Sequence, residues 1–353
     1  MRTRQGSPAA THPTFATPGW GRSRKRWLAA AGLAALLAIS ALIAGRADAV
    51  GPYPALGSCS VFPQPPASLS PRAPSLPTEA AWNQDISKAP RDPRSSAYIA
   101  YVDAHGGDHL HPDFGSPRAY GFPYSVVSAG QRQLPAHYTA YGDESDPGPF
   151  PVPPRAPVEG GGGSDGDRHV LVVDRSACKL IELYRAFYVA EPRPHWNADS
   201  GTEWDLRSPA RRPDGWTSAD AAGLPIFPGL VRYDEVAGGH LDHAIRVTFE
   251  STRDAWVHPA SHCAGDTSSP SAPPMGLRLR LKAGYGLGGF SGPAKTIALA
   301  MKRYGLIVAD NGSNWFFSGS SDRRWDDNNL NQLKRIPGSA FEVVKSAASL
   351  HSC

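Results

Sequence analysis

Four cysteines among 353 residues, at positions 59, 178, 263 and 353, form no C-x-x-C pair, which removes a zinc knuckle and a dithiol redox motif from consideration. The chain has neither H-E-x-x-H nor G-x-x-x-x-G-K-[ST], so no zincin or P-loop nucleotide enzyme is indicated. Internal repeats are absent, and collagen-like and coiled-coil patterns with them. Positive charge is also scarce where it would matter. Residues 1–49 carry seven basic residues against one acidic, leaving −2 of the overall +4 for residues 50–353. That balance cannot neutralise a run of phosphates, and nucleic acid is excluded as a partner.

What is present begins with an address. The basic cluster Arg22, Arg24, Lys25 and Arg26 precedes a 19-residue apolar stretch at 27–45 and then Ala47-Asp48-Ala49, the order of a secretory signal with cleavage before Val50. A retained anchor is the alternative, because about 20 apolar residues span a bilayer. The expectation is a secreted protein, monomeric, with no membrane span after cleavage. An even number of cysteines in an exported chain suggests disulfides. Three pairings are open; Cys178 with Cys263 and Cys59 with Cys353 are favoured, the second because it would tie two loose termini.

Residues 50–94 read as an arm or linker, with ten prolines and almost no apolar periodicity. Residues 95–353 read as one mainly β domain, a two-sheet antiparallel sandwich or jelly-roll-like fold with a few short helices near the C-terminus. The clearest element is a hairpin, 169–174 and 179–188 around the turn 175–178, whose first strand is apolar throughout and therefore central. Residues 241–250 alternate, with Leu241, His243, Ile245, Val247 and Phe249 on one face and Asp242, Arg246, Thr248 and Glu250 on the other. Residues 277–282 alternate likewise, with Arg278, Arg280 and Lys282 outward, and both segments read as half-buried antiparallel strands. Pro293 to Tyr304 reads as a helix stopped by Gly305, followed by a strand at 306–309. A further helix at 326–333 and a last strand at 341–344 complete the pattern.

Several clusters could carry chemistry. Asp143, Glu144 and Asp146 crowd three carboxylates into four residues, which favours a raised pKa and an acid/base role, or else a solvated turn. The run EGGGGSDGDRH at 159–169 could wrap Ca²⁺ but lacks the EF-hand spacing, so no cofactor is expected. Asp234 and Glu235 are followed by His240, His243, His258 and His262, four imidazoles within 23 residues that suit a proton-transfer base or a metal. Trp196, Trp204 and Trp216 stand beside hydrogen-bonding residues, a combination that fits the faces of pyranose rings and equally a protein core.

The segments DESDPGP at 143–149, GDRHVLVVD at 166–174, DGWTSADAAGLP at 214–225, LVRYDEV at 230–236 and VADNGS at 308–313 resemble a group of uncharacterised exported bacterial proteins. The resemblance covers most of residues 95–345. It implies a shared fold and export, and no activity. The residues themselves suggest a glycoside hydrolase acting on a polysaccharide or cell-wall glycan. One carboxylate from Asp143, Glu144 or Asp146 would work with Asp234 or Glu235 across a Trp-lined groove. A lyase would instead use His243 or a tyrosine as base, with Arg278 or Arg280 neutralising a uronate; a non-catalytic glycan- or wall-binding protein, and a secreted structural or interaction protein with no small ligand, are the other readings.

Overall fold

The computed structural model describes residues 51–57, 59, 61, 81–116 and 120–353. The signal segment, its cleavage point and residues 62–80 of the arm lie outside them. The expected hairpin forms the centre of a four-stranded sheet ordered Tyr124–Val127, Val170–Asp174, Lys179–Tyr184, Ser200–Asp205. Val170, Leu171, Val172 and Val173 are all fully buried, as an unbroken apolar strand requires. Pleating sends Leu171 and Val173 into one cluster with Phe122, Ile226 and Phe227, and Val170 and Val172 into another with Phe150, Val152 and Trp196.

A six-stranded sheet runs in the order His111–Asp113, Phe316–Ser318, Ile245–Phe249, Leu306–Asn311, Arg278–Leu281, Phe341–Val343. Helix Gly292–Arg303 packs Ala294, Ile297, Ala298 and Met301 into the main core of this sheet. It stops where expected: Gly305 has φ +77°, and a Cβ there would collide with the Leu279 carbonyl. Two three-stranded sheets flank these, Ala136–Tyr138, His195–Ala198, Phe187–Val189 and Pro274–Met275, Arg253–Val257, Leu350–Ser352. The protein is mainly β, sandwich-like, with few short helices. Its ladders are mixed, since Ile245–Phe249 runs parallel to Leu306–Asn311 and Tyr124–Val127 runs parallel to Val170–Asp174.

Two features depart from the sequence reading. Helix Ser95–Ala104 buries Tyr98, Ile99 and Val102 at helical spacing where short strands were expected. The arm is not all surface, because Trp82 is buried in the main core and Ile86 N–H donates to the Arg303 carbonyl at 2.8 Å.

The disulfides are a correction. Cys59 bonds Cys178 and Cys263 bonds Cys353, with Cα separations of 5.4 and 6.5 Å, in place of the expected Cys178–Cys263 and Cys59–Cys353. Neighbouring contacts explain the pairing. Segment 51–57 lies along the hairpin sheet, Tyr53 stacking on Tyr124 at 3.6 Å, which brings Cys59 to the turn that holds Cys178. Strand Leu350–Ser352 pairs with Arg253–Val257 and delivers Cys353 beside Cys263. Among the described residues no helix is long and apolar enough to cross a membrane.

Candidate functional site

Three of the expected acid/base residues meet. Asp234 and Glu235 open the short helix Tyr233–Ala237, and His243 precedes strand Ile245–Phe249. With Arg232, His240 and Asp242 they line a hollow of about 420 Å³, whose apolar side includes Leu56, Val61 and Tyr124. Glu235 pairs with Arg232, and His243 Nε2 lies 3.3 Å from its other oxygen. Burial pushes the Glu235 carboxyl up, but Arg232 and His243 outweigh it and hold the group below its ordinary value. Arg232 is itself buried, donates to the Phe227 carbonyl at 2.9 Å and lies over that ring. His243 Nδ1 donates to the Ala244 carbonyl at 2.7 Å, which fixes the ring. Asp234 is drawn to the rim by Arg324 at 2.7 Å. Asn83 donates to the Asp242 carbonyl at 2.9 Å, while its own Oδ1 is buried with no hydrogen-bond partner in the described structure.

The acidic loop sits elsewhere. Asp143 and Glu144 form a single 3-10 turn, Gly142–Glu144. Glu144 accepts from Thr217 N–H at 2.7 Å, and Asp146 accepts from Glu203 N–H and Arg212, each at 2.8 Å. These bonds stitch the loop to strand Ser200–Asp205 and the 212–217 turn. No hollow described is lined by both this loop and Asp234 or Glu235.

Trp196 and Trp204 are buried, their indole N–H groups donating to the Val152 carbonyl and to Thr202 Oγ1. Only Trp216 of the three is partly exposed, with the Arg212 guanidinium 5.2 Å from its ring centre. Arg280 pairs with Glu342 across the ladder and donates to the Ile86 carbonyl, and Arg278 donates to Gln84 and to the Tyr304 carbonyl. Both guanidinium groups therefore hold the 84–86 segment against the sheet, away from the hollow that His243 lines.

The sequence reading missed a charged cluster in the interior. Arg246 was assigned to the outward face of its strand and is buried, donating to Asp220 at 3.1 Å, Ser318 at 2.8 Å and Asp310 at 3.3 Å. Phe122 lies over its guanidinium. Nearby, His169 contacts Glu159 at 2.5 Å and the Ala219 carbonyl at 2.8 Å. Burial would lower the His169 pKa, but Glu159 raises it to about 9. Burial and Asp220 lift Asp310 to about 7, and burial lifts Asp220 as well, Arg246 opposing both. Glu182, fully buried, is lifted to about 7 although Ile226 and Phe227 N–H groups donate to it. The only signals in the sequence were ionisable residues inside otherwise apolar strands, and the presence of His169, Asp220 and Asp310 in the segments that carry the resemblance. No family model, no curated protein and no solved structure matches the chain.

Proposed function

We propose that this is an exported carbohydrate-active hydrolase whose reacting groups sit in the hollow around Glu235. The observation that carries the reading is a carboxylate kept ionised by Arg232 and His243 on the wall of a cavity large enough for a sugar unit. A glycoside hydrolase needs such a group as base or nucleophile, and a second carboxyl to protonate the leaving oxygen. In this reading Asp242, which lines the same hollow and lies 3.4 Å from His240 and 3.3 Å from the Tyr304 hydroxyl, would serve as that second carboxyl. The tryptophan platform plays no part in this reading for Trp196 and Trp204, and sugar contact would rest on Tyr124, Leu56 and the polar rim. Two disulfides in the fold support export.

A second reading, non-catalytic glycan binding by a monomer, is favoured by one observation: both Glu235 oxygens and both His243 nitrogens already have protein partners. Reducing-end release from a panel of neutral and uronate polysaccharides separates the two. The hydrolase reading expects turnover that Glu235→Gln lowers by about 10²–10⁴-fold with the fold intact by circular dichroism. Binding without turnover by the unaltered protein would establish the second reading, and full activity in Glu235→Gln would remove the site.

A further inference from the structure

A different cluster of side chains, remote in sequence from the hollow residues, meets where the C-terminal strand crosses the body. Asp214, His258 and His351 each place one ligand-type atom within 4.8 Å of those of the other two. His258 Nε2 and Asp214 Oδ1 are already 3.1 Å apart. Zinc bonds of about 2.0–2.1 Å in a tetrahedron leave neighbouring ligand atoms about 3.3–3.5 Å from each other, so this edge is close to the spacing an ion requires. The two imidazole rings lie 5.3 Å apart, centre to centre.

The positions are held by the fold. His258 follows directly on strand Arg253–Val257, and His351 sits on the neighbouring strand Leu350–Ser352, its residue paired with Trp256. The indole of Trp256 stacks on the His351 ring at 4.0 Å with only 5° between the planes, which limits the ring's rotation. Two residues on, the Cys263–Cys353 bond fastens the same strand. Asp214 comes from the turn whose Gly215 N–H donates to the Ser261 carbonyl at 2.7 Å. Arg211 competes for the carboxylate, donating to Asp214 Oδ1 at 3.2 Å.

From this arrangement we propose that Asp214, His258 and His351 form a binding site for a divalent transition-metal ion of the Zn²⁺ class. Two imidazoles and one carboxylate are a borderline donor set that selects such ions over Ca²⁺ or Mg²⁺. Three protein ligands leave the fourth position to water, as in open zinc sites. The ion would join three segments of the chain, the 214 turn, the end of the 253–257 strand and the C-terminal strand.

The test is calorimetric titration of the oxidised, chelator-treated full chain with Zn²⁺, with Ca²⁺ as comparison. The expected result is one saturable Zn²⁺ per chain and no Ca²⁺ at that site. His351→Gln and Asp214→Asn should each weaken Zn²⁺ by more than about 100-fold, beyond the 10–100-fold common for losing a supporting contact. Arg211→Gln should tighten it by removing the competitor, and His105→Ala, elsewhere on the surface, should leave it unchanged. Ni²⁺ added to the same protein should quench indole emission in a way that Trp256→Phe abolishes. Asp214 is half exposed, so its substitution reports on the metal even where His351→Gln loosens the strand. Absence of saturable one-to-one binding, or equal binding by the unaltered chain and Asp214→Asn, overturns the proposal.

Discussion

Replacing Arg246 by Met tests the interior charge cluster most directly. The guanidinium is 3% exposed and donates to Asp220, Ser318 and Asp310, and Asp220 has a second oxygen, Oδ1, buried with no partner in the described structure. Methionine fills most of the volume but leaves two carboxyl groups without their cation. Breaking a buried pair in this way costs about 3–5 kcal/mol. For a folded body of this size each kcal/mol moves the melting temperature by about 2 °C, so a drop of about 6–10 °C is expected at pH 8. The deficit should depend on pH. Asp310 is raised to about 7 and Asp220 is raised too, and loss of Arg246 removes the influence that opposes both shifts. A carboxyl whose folded pKa exceeds its unfolded value stabilises the fold while protonated, and that contribution disappears as pH rises through the folded value. The deficit is therefore largest above pH 7 and narrows on acidification, by about 1.4 kcal/mol for each unit by which a carboxyl is raised further. Differential scanning calorimetry of both proteins at pH 5.5 and 8 reads this out, and adding Asp220→Asn to the variant should recover part of the loss at pH 8. A shift below about 1 °C, or the same deficit at both pH values, would refute the reasoning.

Peptide mapping without reduction should recover 59 joined to 178 and 263 joined to 353. With the bonded cysteines 119 and 90 positions apart in sequence, each bridge should contribute about 4–5 kcal/mol by chain entropy, and a 178–263 peptide would contradict the fold. Rising pH should weaken the unaltered protein in two stages. Glu182, raised from 4.5 to about 7, gives up its favourable protonated contribution between those two values, and His169, raised from 6.5 to about 9, gives up that of its imidazolium over the range that follows. Glu182→Gln should erase the first stage and keep the second; a stability that stays level from about pH 4.5 to 9 in chemical denaturation would sink both assignments.

The hairpin, the helix ended by Gly305 and the last strand were legible because each depends on neighbours in sequence, by alternation, apolar continuity or a stop residue. Arg246 was not. Alternation along 241–250 identifies two faces, but it cannot tell that a second layer carrying Phe122 and Asp220 covers the polar one. The disulfide pairing failed for a related reason, since it depends on which strand Leu350–Ser352 joins. Asp234, Glu235 and His243 were found together because a short helix and a strand start only a few residues apart. Their expected partner at 143–146 was not brought to them, since Arg212, Thr217 and the Ser200–Asp205 strand claim those carboxylates. The Asp214, His258, His351 group draws on three distant segments and has no local signature.

Strand Val170–Asp174 is a wall common to two interiors, odd-numbered Leu171 and Val173 serving one and even-numbered Val170 and Val172 the other. Neither side can melt while the other stays shut, because exposing either means pulling out the partition on which both lean. Its amides should accordingly be among the last to exchange with solvent, released only when the whole body opens at once.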